Sequence, residues 1–284
     1  MGHRALDLQR ARRARTRALV IPREHGAWGL LFIPLFTGVS VGIASSPSAG
    51  PVILFAIAAV ALFWLRTPVE SLLGTTPMSA ETPEERRIAI LVSLVLAGLA
   101  ATCLAGLLQH GRHNALLLLG GLAAVLFAVQ TLLMKLGRKL RLAAQLVGAI
   151  ALTSTAVAAY YVATGLLDKR AFMLWAANWI FAANQILFVQ LRIHAARARS
   201  FAEKLQRGRV FFFTQVLLLL FLFAASHWRL APVLITLAFV PVLARGFYWF
   251  FQPPQPLQVK RLGWAEMKQG ILFGILFASV LILS

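Results

Sequence analysis

The chain has 284 residues, of which 60% are hydrophobic and only 13% are charged, and its mean hydropathy is +0.78. A soluble domain is roughly 45–50% apolar and about 25% charged. Because a folded chain of this size cannot bury so much apolar surface, the excess must face lipid. The composition therefore excludes ordinary soluble, disordered and disulfide-rich secreted proteins. The single cysteine, Cys103, also excludes an intramolecular disulfide and a cysteine-based metal site.

Runs of mostly apolar residues that are long enough to cross a bilayer, about 20 residues each, occur nine times. The second run is short unless its helix continues past Arg66 towards Leu73, and the eighth run contains Pro232 and Pro241, which favour a kink. We therefore predict an all-α polytopic membrane protein with nine transmembrane helices. The nine runs are 27–44, 51–66, 88–109, 114–134, 142–164, 171–191, 210–227, 230–250 and 268–284.

The basic residues lie almost entirely on one side of this topology. If the N-terminus is cytoplasmic, 24 of the 28 Lys and Arg residues fall on the cytoplasmic side. Since cytoplasmic loops of membrane proteins collect Lys and Arg, we predict a multi-pass protein of the inner (cytoplasmic) membrane with its C-terminus outside. The same bias explains the net charge of +19, so we expect lipid rather than nucleic acid as the partner. We divide the chain into a basic cytoplasmic tail, 1–26, and a nine-span transmembrane domain, 27–284.

Ionisable residues next to two of the predicted spans are the first candidates for a functional site. Arg23, Glu24 and His25 stand at the entrance of the first span, where Glu24 and His25 add nothing to interfacial anchoring. At the end of the second span, Arg66 and Glu70 are four residues apart and share a helix face. Such residues either pair with each other or line a polar cavity, and both interpretations stay open.

The sixth span carries a polar stripe. Asn178, Gln185, Arg192 and Arg199 recur every seven residues, so they project from one side of a helix. Amides in hydrocarbon need partners, which a neighbouring helix or a cavity can supply. We favour a cavity that becomes cationic at its cytoplasmic mouth.

A basic cluster separates the fourth and fifth spans. It consists of Lys135, Arg138, Lys139 and Arg141. The topology alone explains most of this cluster, but a phosphate-bearing headgroup would also be attracted to it.

Three shorter patterns predict local structure. Residues 82–85, Thr-Pro-Glu-Glu, form a capping box with proline at the first helical position and should start the third helix. Gly38 and Gly42, and likewise Gly270 and Gly274, have the four-residue spacing of helix-packing seams. His110 and His113 are three residues apart, but no third ligand lies nearby in the sequence, so we predict no metal site there.

The segment 22–34, PREHGAWGLLFIP, resembles the YwiC-like family of small bacterial membrane proteins, and its residues EHGAW are the most specific part. This resemblance is expected to cover the whole chain. More distantly, the chain looks like the UbiA prenyltransferase superfamily. That similarity rests on nine spans, a basic segment before the fifth span (MKLGRKLRLAAQLVGA) and the sequence LGWAEMKQG before the last.

The superfamily resemblance implies a UbiA-like helical bundle that attaches an isoprenoid chain to an acceptor. In that superfamily, acidic motifs at the ends of the second and sixth spans hold magnesium and a prenyl diphosphate. Here the second span offers only Glu70, and the sixth offers Asn184, Gln185 and Arg192 without an acid. Magnesium takes hard oxygen ligands, so these residues do not favour the ordinary magnesium mechanism. Magnesium stays an open alternative, and we predict no other cofactor.

We therefore predict a protein that binds a membrane lipid or isoprenoid in a cytoplasm-facing cavity, with prenyltransferase-like activity as a further hypothesis. The alternative is a non-enzymatic transporter or an accessory subunit of a membrane complex. For catalysis, the candidate proton-handling residues are Glu70 and His25. We expect His25, Glu70, Asn178 and Arg192 to converge on one cavity. The candidate binding residues are Arg23, Glu24, His25, Arg66, Glu70, Lys135, Arg138, Asn178, Gln185 and Arg192.

Overall fold

The computed structural model of the chain describes residue 10 and residues 14–22, 25–46, 49–75, 78–109, 111, 114–196, 198–229 and 232–284. Within these ranges every regular element is helical, and nine helices are long and apolar enough to cross a membrane. The prediction of an all-α, nine-span membrane protein is therefore confirmed.

The nine long helices are numbered here in chain order. A single 3-10 turn, Arg138–Leu140, joins the fourth helix to the fifth, and residues 14–20 are helical ahead of the first. The helices are α1 (His25–Ser45), α2 (Ala49–Leu73), α3 (Pro83–Gln109), α4 (Asn114–Leu136), α5 (Arg141–Thr164), α6 (Lys169–Ala195), α7 (Phe201–His227), α8 (Leu234–Phe251) and α9 (Val259–Leu283).

Two helices begin about nine residues before the apolar runs that predicted them. Helix α7 begins at Phe201 instead of 210, and α9 begins at Val259 instead of 268. The additional turns carry charged residues, which hydropathy assigns to loops although they continue the helix. In α7 the start is set by Ser200, whose side chain accepts a hydrogen bond from the backbone N–H of Glu203 at 3.2 Å. Helix α2 continues through Pro68 to Leu73, as the sequence allowed.

Helix α1 lies at the centre of the bundle, because glycines let its neighbours approach closely. A Cβ atom added at Gly38 would clash with the backbone carbonyl of Ala156 on α5, and one at Gly42 would lie 2.8 Å from the Cβ of Ala163. On the other side of α1, a Cβ at Gly270 of α9 would clash with the side chain of Ile33. Both predicted glycine seams are thus confirmed as helix contacts.

Helices α3 and α4 lie at the periphery. Only 17% of the residues in their most apolar windows are buried, against 50% for α5. Helix α3 packs on α2, and α4 packs on α5. Their remaining apolar faces are available to lipid.

The capping box at the start of α3 is present and also holds the N-terminal segment. The backbone N–H of Glu85 donates to the Thr82 hydroxyl at 3.2 Å, and that of Thr82 donates to the Glu85 carboxylate at 3.3 Å. Arg15 pairs with the same carboxylate at 2.6 Å, and the Trp64 indole of α2 donates to the carbonyl of Val20 at 2.6 Å. Residues 14–20 of the predicted tail therefore pack against α2 and α3.

The contact at Gly38 predicts a stability effect. The Gly38→Ala variant should lower the free energy of unfolding by about 1–3 kcal/mol, because the added methyl group forces α1 and α5 apart. Unfolding in a denaturing-detergent titration measures this loss. The matched control is Gly98→Ala on α3, where a Cβ would meet nothing within 4 Å. Equal stability of the two variants would contradict close packing of α1 on α5.

Candidate functional site: two cavities at one end of the bundle

Polar side chains converge where α6 and α8 end and where α1, α5 and α9 begin. We call this the basic end of the bundle, because it carries Arg192, Arg245 and Arg261. Two cavities lie here, and a buried ion pair stands between them. One cavity is lined mostly by apolar residues and amides, and the wall of the other includes three arginines.

The first cavity, here called the amide cavity, has a volume of about 280 Å³ and lies between α1, α5, α6 and α9. Its size is near the lower end of the range for small-molecule sites, which is about 300–1,000 Å³. Most of its wall is apolar. It is lined by Gly26, Gly29, Leu30, Ile33, Pro34, Gln145, Asn178, Phe181, Ala182, Gln185, Ile186, Val189, Gln190, Gly263, Glu266 and Met267.

Hydrogen bonds between helices hold three of the amides in this wall. The Gln190 side chain of α6 donates to that of Gln145 on α5 at 2.9 Å. The Asn178 amide nitrogen donates to the Thr37 hydroxyl of α1 at 2.9 Å and to the carbonyl of Leu174 at 2.8 Å. Because a carbonyl can only accept, these bonds fix which atom of Asn178 is the nitrogen.

A buried ion pair links α6, α8 and α9 next to the amide cavity. Arg245 of α8 donates to the Glu266 carboxylate of α9 at 2.5 Å and to the side-chain oxygen of Gln185 on α6 at 2.6 Å. Its guanidinium carbon also lies 4.1 Å from the centre of the Phe188 ring. The Arg245 and Glu266 side chains are only 15% and 12% exposed. Two charges so far from water are tolerated because each is the other's partner.

The second cavity, here called the basic cavity, has a volume of about 400 Å³ and lies on the other side of Arg245. Three arginines contribute to its wall, namely Arg192, Arg245 and Arg261. The guanidinium carbon of Arg192 is 5.2 Å from the centre of the Trp249 ring, within the distance of a cation–π contact. Its other lining residues are Phe188, Gln255, Pro256, Gln258, Leu262 and Ala265.

Lys204 lies against Trp249 and stabilises this end of the bundle. It is almost completely buried, and its ammonium group donates to the carbonyls of Trp249 at 2.6 Å and Phe250 at 3.2 Å, and to that of Gln252. These carbonyls belong to the end of α8, where the helix leaves acceptors without internal partners and the helix dipole favours a cation. Lys204 is therefore the cap of α8.

The polar stripe predicted on α6 does face the interior, but it divides between the two cavities. Asn178 and Gln185 line the amide cavity, and Arg192 lines the basic cavity. Helix α6 ends at Ala195, so Arg199 lies beyond it and is not part of the stripe. The seven-residue spacing predicted that these side chains share one side of α6, but it did not predict where α6 ends.

The other candidates lie elsewhere. Arg66 and Glu70 pair with each other at 2.7 Å on α2 and line neither cavity, and Lys135 is exposed at the end of α4. Glu70, Asn178 and Arg192 therefore do not meet in one cavity, because the local pair on α2 satisfies Glu70. Arg23 and Glu24 lie outside the described residues, as do the side chains of His25 and Arg138 and the His110 and His113 pair.

Sequence reasoning missed the ion pair, and a signal for one partner was available. Arg245 falls inside the eighth apolar run, and an ionisable residue within a membrane span marks a functional site by default. The charge bias alone assigns Arg245 to the cytoplasmic side and gives it no further role. Glu266 lies in LGWAEMKQG, a segment that carries the superfamily resemblance, and no local pattern marks it as the partner of Arg245.

The donor atoms at the basic end do not fit a magnesium-held diphosphate. In the described part of the chain, no group of three or more His, Cys, Asp or Glu residues is placed to hold a metal ion. The end of α6 presents amides and Arg192, and among the described residues the one carboxylate that lines either cavity, Glu266, is paired with Arg245. No magnesium-dependent step is therefore derived for this site.

The fold and these cavities define a multi-pass helical membrane protein with two concave sites at one end. Residues 21–160, about half of the chain, match the model of the YwiC-like protein family, which confirms the resemblance over α1 to most of α5. No curated protein and no solved structure matches the chain. The matched part includes the α1 and α5 walls of the amide cavity, whereas α6, α8 and α9 lie beyond it.

The position of Lys204 predicts its contribution to stability. Lys204→Met should lower the free energy of unfolding by about 3 kcal/mol, because hydrogen bonds from a charged donor contribute about 1.5–3 kcal/mol each and the carbonyls stay buried. Thermal or denaturant unfolding in mild detergent measures the loss. Lys260→Met, at an exposed position on α9, is the control and should have little effect. Similar losses in both variants would show that the buried contacts of Lys204 do not stabilise α8.

Proposed function

We propose that the protein binds a membrane lipid or isoprenoid in the amide cavity, and that the basic end of the bundle faces the cytoplasm. The cavity suits such a ligand because its wall is apolar with a few amides and one carboxylate. An apolar chain would contact α1 and α6, and the polar end of the ligand would reach Gln185 and Glu266. The excess of Lys and Arg in the connections at the basic end supports the orientation.

The observation that carries this proposal is the contribution of the family motif to the cavity wall. Five residues of PREHGAWGLLFIP line the cavity, and two of them are glycines. A Cβ at Gly26 would meet nothing within 4 Å, and one at Gly29 would come no closer than 3.8 Å to Ile33. Neither glycine is needed for close helix packing, so their small size is best explained by the space that they leave for a ligand.

Unpartnered polar atoms in the same wall support a ligand with a polar group. Among the described residues, Asn178 Oδ1, Gln185 Nε2 and Glu266 Oε2 are buried without a hydrogen-bond partner. A buried polar atom without a partner costs about 1–3 kcal/mol. A ligand hydroxyl, which both donates and accepts, would satisfy such atoms.

A more specific form of the proposal is that the protein transfers an isoprenoid chain to an acceptor. For that reaction the carboxylate at the cavity is Glu266, whereas Glu70 is paired with Arg66 on α2. In this form of the proposal, a nucleophilic atom of the acceptor would bond to the isoprenoid carbon of a prenyl diphosphate, the diphosphate would leave with the electron pair of the broken C–O bond, and Glu266 would accept the proton that the acceptor loses.

Filling the cavity tests the proposal. Gly29→Leu places a side chain in the space beside Ile33, and Gly98→Leu is the matched control on the peripheral helix α3. Lipids extracted from the purified proteins are quantified by mass spectrometry. We expect one isoprenoid or lipid species to be enriched with the wild type and the control, and to fall by about tenfold with Gly29→Leu, a loss of about 1.4 kcal/mol in binding.

The same measurement can also contradict the proposal that the amide cavity binds lipid. If only bulk phospholipid is recovered, in the same amount from all three proteins, the amide cavity is not a lipid site. That result would favour the alternative of a transporter or an accessory subunit of a membrane complex.

A further inference from the structure

We propose that the basic cavity is a second binding site, and that it takes a phosphate or diphosphate group. The proposal stands on the basic cavity alone and does not require that the amide cavity binds lipid. It joins three arginines that are far apart in sequence, on α6, α8 and α9, in one cavity of about 400 Å³.

The positive charge in this cavity is not balanced by carboxylates. Among the described residues, Arg192 and Arg261 have no carboxylate within 4 Å, and Arg245 has only Glu266. Three guanidinium groups therefore share one carboxylate. An anion bound between them would supply the missing charge.

Membrane topology does not account for this arrangement. A preference for cations on one side of the membrane requires only that they lie on that side, where solvated loop positions suffice. Here Arg245 is largely buried, and Arg192 is half-buried against Trp249. Trp249 is itself contacted by the buried ammonium group of Lys204, at 4.1 Å from the ring centre. These contacts hold Arg192 and Arg245 in place before a ligand arrives, whereas Arg261 is exposed at the cavity.

The chemistry of the wall favours phosphate over other anions. A guanidinium group presents paired N–H donors that match two oxygens of a phosphate, and several together suit a group with more than one charge. Gln255 and Gln258, from the connection between α8 and α9, add neutral amide donors beside Arg261. Because this connection is outside the apolar spans, the charged group would enter from the aqueous side.

Glu266 sets the strength of the site without being part of its wall. Its carboxylate holds Arg245 and lowers the positive potential that an anion meets. Replacing it by glutamine removes the negative charge and keeps a hydrogen-bond acceptor for Arg245. The Glu266→Gln variant should therefore bind an anion more tightly than the wild type, which a merely structural role of the pair would not produce.

Isothermal titration of the purified full-length protein with inorganic pyrophosphate, in a neutral detergent, tests the proposal. We expect binding that weakens at high salt, because the attraction is between charges. Arg192→Ala and Arg261→Ala should each weaken it by about tenfold. Lys260→Ala, beside Arg261 but outside the cavity, should leave it unchanged, and Glu266→Gln should strengthen it. Arg261 is exposed, so its variant is expected to fold.

Two further arms identify the source of the phosphate and separate the two proposals. If the natural occupant is a lipid headgroup, nanodiscs that contain phosphatidylglycerol should suppress pyrophosphate binding relative to phosphatidylcholine nanodiscs. If it is a soluble phosphate compound, both nanodiscs should give the same affinity. Gly29→Leu, which fills the amide cavity, should bind pyrophosphate like the wild type. Absence of pyrophosphate binding, or equal binding by the wild type and both arginine variants, would overturn the proposal.

Discussion

The ion pair between Arg245 and Glu266 is the interaction on which the basic end of this protein depends. In the apolar interior of a membrane protein, a charge without a partner is very costly, so the two residues must find each other. Through Gln185 the same pair reaches α6, and it thereby joins three helices. The amide cavity lies on its Glu266 side and the basic cavity on its Arg245 side.

Small residues determine where the helices touch and where they stay apart. Gly38 and Gly42 bring α1 against α5, and Gly270 lets α9 approach α1 at Ile33. Nearer the basic end, Gly26 and Gly29 meet no such neighbour, and the amide cavity occupies that region. Glycine thus allows close helix contact in the middle of the bundle, where another helix lies against it. At the basic end no helix within the described ranges lies against the glycines, and a cavity remains.

Periodicity and hydropathy predicted the helices but not the pairing of side chains between them. Nine spans, the capping box at Thr82 and the glycine seams could all be predicted, because each depends on residues close in sequence. Glu70 was expected in a shared cavity, yet Arg66, four residues away, satisfies it. The partner of Arg245 lies 21 residues away on another helix. Such a contact follows from how helices pack, which no local pattern specifies.

A double-mutant cycle on Arg245→Met and Glu266→Gln tests the central claim most directly. The free energy of unfolding is measured in mild detergent for the wild type, both single variants and the double variant. We predict a coupling energy of at least about 2 kcal/mol, because each single variant leaves the charge of the other residue buried without an opposite charge beside it. Losses that simply add, with a coupling energy below about 0.5 kcal/mol, would contradict the account, since the two residues would then not depend on each other.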